Sequence, residues 1–141
     1  MATERSDEYS GGAYLTYLFD TDVLPFDLGT LPSRPSRSWN KHERRSPRVQ
    51  GVHEFSGFEY AVTEPVQATP SDHLRELVVF LRPFEEALAN LSSLPETRSV
   101  RVTISHHTTA ENAEVRLEPD DLDFLARLNA EVFADIYFLD A

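Results

Sequence analysis

The chain has 141 residues, no cysteine, 40% apolar residues and a formal net charge of −11. The length fits one domain with a single hydrophobic core. The lack of cysteine excludes disulfides, thiolate metal sites and a cysteine nucleophile. No run approaches the roughly 18 apolar residues of a membrane span, and residues 1–12 lack the apolar stretch of a secretory signal. We therefore expect a cytoplasmic protein that does not bind membranes.

The charge is unevenly distributed along the chain. Residues 34–48 contain six basic residues and one acidic residue, so the rest of the chain carries a formal charge of −16. These basic residues lie in a Pro- and Ser-rich segment, 32–51, that has no periodicity and is interpreted as a long exposed loop. The basic loop contains Arg34, Arg37, Trp39, Lys41, Arg44, Arg45 and Arg48.

The first part of the chain predicts a tail followed by two strands. Residues 1–12 are interpreted as a flexible N-terminal tail, and residues 13–141 as one domain. Ala13–Asp20 alternates with apolar residues on both faces, which predicts a central strand. Glu54–Thr63 alternates as well and predicts a second strand.

Two helices and a third strand are predicted next. Ser71 or Asp72 is expected to cap a helix with apolar residues at helical spacing. Pro83 is expected to break that helix, because proline has no N–H and clashes with the preceding turn. A second helix then extends to Leu91, and Arg98–Ser105 is a clear amphipathic strand.

The last part of the chain predicts a hairpin, a helix and a final strand. His106–Asn112 is a polar connection, and Ala113–Leu117 alternates like a strand returning as a hairpin. Pro119 is suited to the first position of a helix, and Asn129 to its end. Val132–Phe138 then completes the domain as a strand.

The order of these elements predicts an α+β domain. It has a mixed, largely antiparallel sheet of about five strands with helices packed on one face. The sequence contains no Gly-rich phosphate loop, nucleophile elbow or HExxH motif. We therefore predict no catalytic residue, no metal and no cofactor, and we favour a non-enzymatic protein.

One group of polar residues suits a pocket. His106, His107, Asp135 and Tyr137 are the candidate polar groups of a ligand-binding or enzymatic site between sheet and helices. Neighbouring residues of a strand point to opposite faces, however, so the two histidines are poorly placed to bind one metal. The alternative interpretation is a polar hairpin loop without a ligand.

The leading hypothesis is a protein-binding domain that recognises a basic partner. An acidic surface attracts basic proteins and repels nucleic acid. The concrete case is an immunity protein that neutralises a bacterial toxin, acting as a monomer or a small homo-oligomer. The candidate binding residues are Asp120, Asp121, Asp123, Glu85, Glu86, Glu111, Asp135 and Tyr137. The carboxylates at residues 120–123 have a structural alternative, because acids stabilise the start of a helix.

The basic loop leaves several interpretations open. It suits phosphate or nucleic acid, since it contains an aromatic residue among its cations. The surrounding negative charge opposes a polyanion beyond about one Debye length, ~8 Å. The loop also suits pairing with the protein's own acidic surface, contact with an acidic patch on a partner, or simple exposure to solvent.

Four stretches of the chain form a recognisable set: the strand Tyr14–Asp20, the segment Phe26–Pro32 (FDLGTLP), the helix His73–Pro83 (HLRELVVFLRP) and the closing Leu117–Phe138. These stretches resemble those of a bacterial family, DUF4279. The resemblance covers about residues 14–138 and is carried mainly by apolar structural positions. That family has no assigned activity, so the resemblance implies no catalytic residue.

Overall fold

A computed structural model of the chain describes residues 11–43, 45, 51–64, 69–109 and 113–139. These residues form five strands and three α-helices. The strands are β1 (Gly11–Phe19), β2 (Arg37–Trp39), β3 (Ser56–Glu64), β4 (Thr97–Thr108) and β5 (Glu131–Phe138). The helices are α1 (Pro70–Leu81), α2 (Glu85–Ser92) and α3 (Pro119–Arg127), with short 3₁₀ turns at Leu28–Thr30 and Arg82–Phe84.

The five strands form one mixed sheet in the order β2-β3-β1-β4-β5. Three of its pairings are antiparallel, and β4 and β5 are parallel because α3 carries the chain across between them. β1 is the central strand, as its apolar faces predicted. The predicted α+β class with a largely antiparallel sheet is therefore confirmed.

One face of the sheet holds the hydrophobic core. Leu15, Tyr17 and Phe19 of β1 are fully buried on this face, in one cluster with Leu77 of α1 and Phe124 of α3. The helices pack on this face, as predicted. In the described residues the opposite face carries no helix, and we call it the open face.

The helix boundaries follow from their caps. Thr69 caps α1 and forms a capping box with Asp72, so the cap lies two residues before the predicted Ser71. Pro83 does break the helix, since the chain turns through a 3₁₀ segment before α2. At the end of α3, Asn129 adopts φ 55°, a left-handed conformation suited to a helix stop.

The prediction of an unstructured loop over 32–51 was wrong in part. Within it, β2 pairs with β3, and Trp39 is only 8% exposed. The strand was missed because it has three residues and a polar sequence between prolines. Its partner strand, rather than its own pattern, determines it.

The predicted hairpin after β4 was also wrong. Residues 113–118 form no strand, and both edges of β4 are already occupied by β1 and β5. Val115 and Leu117 pack on the core from an irregular segment, and the backbone N–H of Arg116 donates to Ser71 Oγ. The apolar residues of this stretch therefore alternate because they contact the core, and the stretch pairs with no strand.

β4 is longer than predicted and β1 begins earlier. His106 and His107 belong to β4 and not to a polar connection. β1 begins at Gly11, inside the predicted tail, while residues 1–10 lie outside the described part of the chain. Gly11 has φ 141°, and a Cβ there would lie 1.8 Å from the Ser105 carbonyl oxygen, so only glycine fits.

Candidate functional site

The outer edge of β5 carries several exposed apolar side chains. Phe133 and Tyr137 project from the open face with 44% and 51% of their surfaces exposed. Phe138 and Leu139, at the end of the strand, are 57% and 43% exposed. Phe133 and Tyr137 are exposed because no helix among the described residues covers the open face and because β5 is the outermost strand of the sheet.

The backbone of β5 also presents unpaired groups along this edge. Successive residues of a strand point their N–H and C=O groups to opposite edges. The Leu139 N–H donates to the Thr108 carbonyl at 2.7 Å, so the odd-numbered residues face β4. The even-numbered residues face outward, and no strand in the described part of the chain pairs with them. They are Val132, Ala134, Ile136 and Phe138.

Two carboxylates accompany the exposed aromatic residues, and β5 contains no basic residue. Glu131 lies 3.8 Å from the Arg101 guanidinium, which also stacks over the Phe133 ring at 4.1 Å. Asp135 is exposed and forms no ion pair with any described residue. We call Val132–Leu139, with these outward backbone groups and side chains, the β5 edge.

Most of the acidic residues predicted on the helices are neutralised within the chain. Asp121 is 5% exposed and accepts a hydrogen bond from Arg75 at 3.0 Å, with Arg82 at 3.8 Å. Arg127 pairs with both Asp123, at 2.6 Å, and Glu85, at 3.0 Å. Asp121 and Glu85 thereby link α3 to α1 and α2, Asp123 pairs within α3, and all three carboxylates are poorly available to a partner.

Two predicted acidic residues on the helices stay exposed. Glu86 of α2 and Asp120 of α3 face solvent and have no ion pair among the described residues. Glu111 lies outside the described residues. The predicted set is therefore divided between a helix surface and the β5 edge, which holds Asp135 and Tyr137.

The four residues predicted for a pocket do not converge. His107, Asp135 and Tyr137 lie on the open face, where the His107 and Tyr137 rings are 4.9 Å apart. His106 points to the opposite face and is 5% exposed. A space between sheet and helices shared by all four side chains is thus absent from this part of the structure.

The buried partner of His106 is His73, which the sequence analysis missed. His73 Nε2 and His106 Nδ1 are 3.1 Å apart, and both rings are buried between α1, which carries His73, and β4, which carries His106. Burial lowers the pKa of His73 to about 4, helped by the neighbouring His106, and burial likewise lowers the pKa of His106. Helical spacing could have identified His73 from the sequence, because His73 precedes the buried Leu77 by four residues.

The basic loop is divided by the structure. Arg37 and Trp39 are in β2, Lys41 lies 3.8 Å from Asp22, and Arg34 is exposed. Arg45 borders a groove of about 640 Å³ on the open face. Arg44 and Arg48 lie outside the described residues.

Neither a metal cluster nor a membrane-spanning helix is found in the described residues. No group of three or more His, Asp or Glu side chains there is arranged to hold a metal ion. No helix in the same residues is long and apolar enough to cross a bilayer.

The protein is thus an α+β domain whose helices cover one face of the sheet. In the described residues, the outer edge of its last strand, β5, is unpaired. A family model described as a domain of unknown function, DUF4279, matches residues 19–139. The chain belongs to the DUF4279 family, which confirms the resemblance found in the sequence. Comparison with curated proteins and with solved structures gave no match in either case.

Proposed function

We propose that this chain is a non-enzymatic protein-binding domain whose β5 edge pairs with an extended segment of a basic partner. The observation that carries the proposal is the edge itself. It combines a row of unpaired backbone groups, exposed aromatic side chains and uncompensated negative charge. Natural proteins usually blunt such edges with lysine, proline or a bulge, and β5 has none of these.

Each component of the β5 edge has a separate role in this interaction. The outward N–H and C=O groups supply main-chain hydrogen bonds to an added strand. Phe133 and Tyr137 supply apolar contact on the open face, and Phe138 on the other face. Asp135 supplies charge selectivity, because it is exposed and has no ion pair in the described residues.

The net charge favours a basic partner over a second copy of the chain. Two copies would each bring a charge of −11 to the interface, and antiparallel self-pairing would bring the two Asp135 carboxylates close together. A positively charged partner gains association rate and specificity from the same charge. The concrete proposal is an immunity protein that neutralises a basic toxin in the bacterial cytoplasm.

A proline substitution tests the edge without disturbing the β4–β5 pairing. Ala134→Pro removes one outward N–H that β4 does not use, and proline is tolerated on edge strands. Ala134→Val is the matched control, since it keeps the N–H. The probe is a fluorescein-labelled peptide of about ten residues, alternating arginine and valine, which spans one strand. Binding is measured by fluorescence anisotropy.

We expect the wild type and Ala134→Val to bind the peptide saturably, and Ala134→Pro to bind at least about tenfold more weakly. Asp135→Lys should also weaken binding and reduce its dependence on salt. Equal binding by folded Ala134→Pro protein would refute the proposal. A wild-type dimer that Ala134→Pro converts to a monomer would instead assign the edge to a second copy of the chain.

The hypothesis of a toxin partner is tested with the protein encoded by the gene next to this protein's own gene. The product of that gene should bind the wild type and Ala134→Val but not Ala134→Pro, measured with purified proteins by calorimetry. Binding that is indifferent to both salt and Ala134→Pro would contradict this part of the proposal.

A further inference from the structure

A second surface lies at the opposite end of the open face, beside β2. It is a groove of about 640 Å³, whose floor is the sheet and whose wall is formed by Arg45 and by residues 52–55. Backbone hydrogen bonds between His42 and His53 and between His53 and Glu43, each of 2.9 Å, hold this wall together. The lining residues are Thr16, Leu18, Arg37, Trp39, Arg45, Val52, His53, Glu54, Phe55 and Glu59.

The groove has an apolar side built around Trp39. The indole N–H donates to the Phe55 carbonyl at 3.0 Å, which leaves the ring no polar group to offer a ligand. His53 stacks on the indole at 4.6 Å, and Leu18 and Val52 complete the apolar lining. This side suits a hydrocarbon or aromatic body.

The polar side of the groove is lined by two arginines, Arg37 and Arg45, and by two carboxylates, Glu54 and Glu59. Glu59 already accepts a hydrogen bond from Thr16 at 3.2 Å. Arg37 approaches Glu59 only to 3.9 Å, and its guanidinium lies over the Trp39 ring. Arg45 is exposed and forms no ion pair with the described residues.

The two arginines give His53 a positive local potential. Burial lowers the pKa of His53, and Arg37 and Arg45 lower it further while Glu43 opposes them. The imidazole is therefore mostly neutral at pH 7, so it adds an N–H donor without a charge. The positive potential there is local, because screening confines it to about one Debye length, ~8 Å, within a chain of net negative charge.

We propose that this groove binds a small organic anion, a carboxylate or phosphate joined to an apolar body. Arg37 and Arg45 hold the anionic group, since a guanidinium matches the geometry of both anions. The apolar body lies against Phe55, Leu18 and Val52. Glu54 and Glu59 also line the groove and repel additional negative charge, so they favour ligands with a single anionic group.

The one tryptophan of the chain, Trp39, reports directly on the groove. The probes are benzoate, phenyl phosphate, inorganic phosphate and benzylamine, titrated at constant ionic strength while Trp39 fluorescence is recorded. Benzoate and phenyl phosphate separate the two anions, and benzylamine presents a cation on the same apolar body. Inorganic phosphate tests whether the apolar body is needed.

We expect saturable changes with benzoate, phenyl phosphate or both, and weaker binding of inorganic phosphate. Arg45→Gln should raise the dissociation constant about tenfold, the loss of one charge-assisted contact. Arg116→Gln is the control, because Arg116 is exposed, forms an ion pair with Glu114 and lies outside the groove lining.

Three outcomes would overturn the proposal. They are a response that stays linear with all anions, equal affinity in Arg45→Gln and wild type, and tighter binding of benzylamine than of benzoate. None of these readouts involves β5, so they distinguish this proposal from the function proposed for the β5 edge.

Discussion

At the scale of single residues, Gly57 determines how β2 joins the sheet. Gly57 of β3 lies directly opposite Trp39 in the strand register. A Cβ at this position would lie 2.5 Å from the Tyr17 carbonyl oxygen and 2.8 Å from Trp39 Cζ2. The indole therefore occupies the space that a side chain would need, which is how a three-residue strand buries its one aromatic residue.

Replacing Gly57 with alanine should therefore destabilise the protein. Overpacking of this kind costs about 1–3 kcal/mol, and the Tyr17 backbone has little freedom to move. The free energy of unfolding is measured by urea titration with circular dichroism. Gly29→Ala is the control and should change it by less than about 0.5 kcal/mol, because its new Cβ would contact only the Asp27 carboxylate. Equal stability of the two variants would contradict this account.

At the scale of elements, α1 and α3 are joined by a charge contact as well as by packing. Asp121 lies in the first turn of α3, and its side chain is 7% exposed, while those of Arg75 and Arg82 are 51% and 42% exposed. A carboxylate this buried depends on its partners, because an unpaired buried charge is costly.

Removing Arg75 should leave Asp121 poorly compensated. We expect Arg75→Met to lower the free energy of unfolding by about 1–2 kcal/mol, a value reduced from that of a fully buried pair because Arg75 is half exposed. Arg101→Met is the matched control, since Arg101 and Glu131 are both about half exposed and 3.8 Å apart. The stabilities of the two variants are compared by thermal unfolding at pH 7. A larger loss of stability in Arg101→Met than in Arg75→Met would contradict the role assigned to the Arg75–Asp121 pair.

Strands and helices with a strong periodic pattern in their own residues were predictable from the sequence. Elements whose formation depends on a neighbouring strand were not. β1, β4 and α3 carry their periodicity within their own residues, so their existence was predicted correctly. β2 exists because β3 offers an edge with a glycine beneath Trp39. Residues 113–117 have the alternation of a strand, but the preceding strand β4 has no free edge for them to join, because β1 and β5 occupy both of its edges.

The sequence likewise identified some residues of the candidate site but not their surroundings in the fold. Asp135 and Tyr137 were identified as candidates, but their position on an unpaired edge depends on β5 lying outermost in the sheet. Asp121 and Asp123 were placed correctly at a helix start. Their arginine partners come from elsewhere in the fold or from the next turn, and the sequence alone did not indicate that these acids are neutralised.

At the scale of the whole molecule, stability in mild acid should depend on His73 and His106. The unfolded chain takes up protons as the pH falls below the ordinary histidine value of 6.5, whereas folded His73 resists protonation down to about 4. The free energy of unfolding is thus unaffected by His73 above pH 6.5 and falls between pH 6.5 and 4. The shift corresponds to about 3 kcal/mol.

The double variant His73→Leu, His106→Leu removes both partners of the hydrogen bond between these two rings together. We expect it to lose most of the pH dependence between 6.5 and 4 in urea titrations, while remaining folded at pH 7. His107→Leu, on the open face, should retain most of the wild-type pH dependence, because burial still lowers the pKa of both His73 and His106. If the double variant and wild type showed the same pH dependence, the buried pair would not be its source.

The central position of β1 has a consequence for how the chain reaches this fold. Gly11 pairs with Glu64 on one side and His106 on the other, so both neighbours of β1 come from far along the chain. Pairings of this kind require large loops to close, which slows folding. During that time β1 has two unpaired edges and apolar residues on both faces. We expect folding in milliseconds to seconds, with its aggregation risk concentrated in this strand.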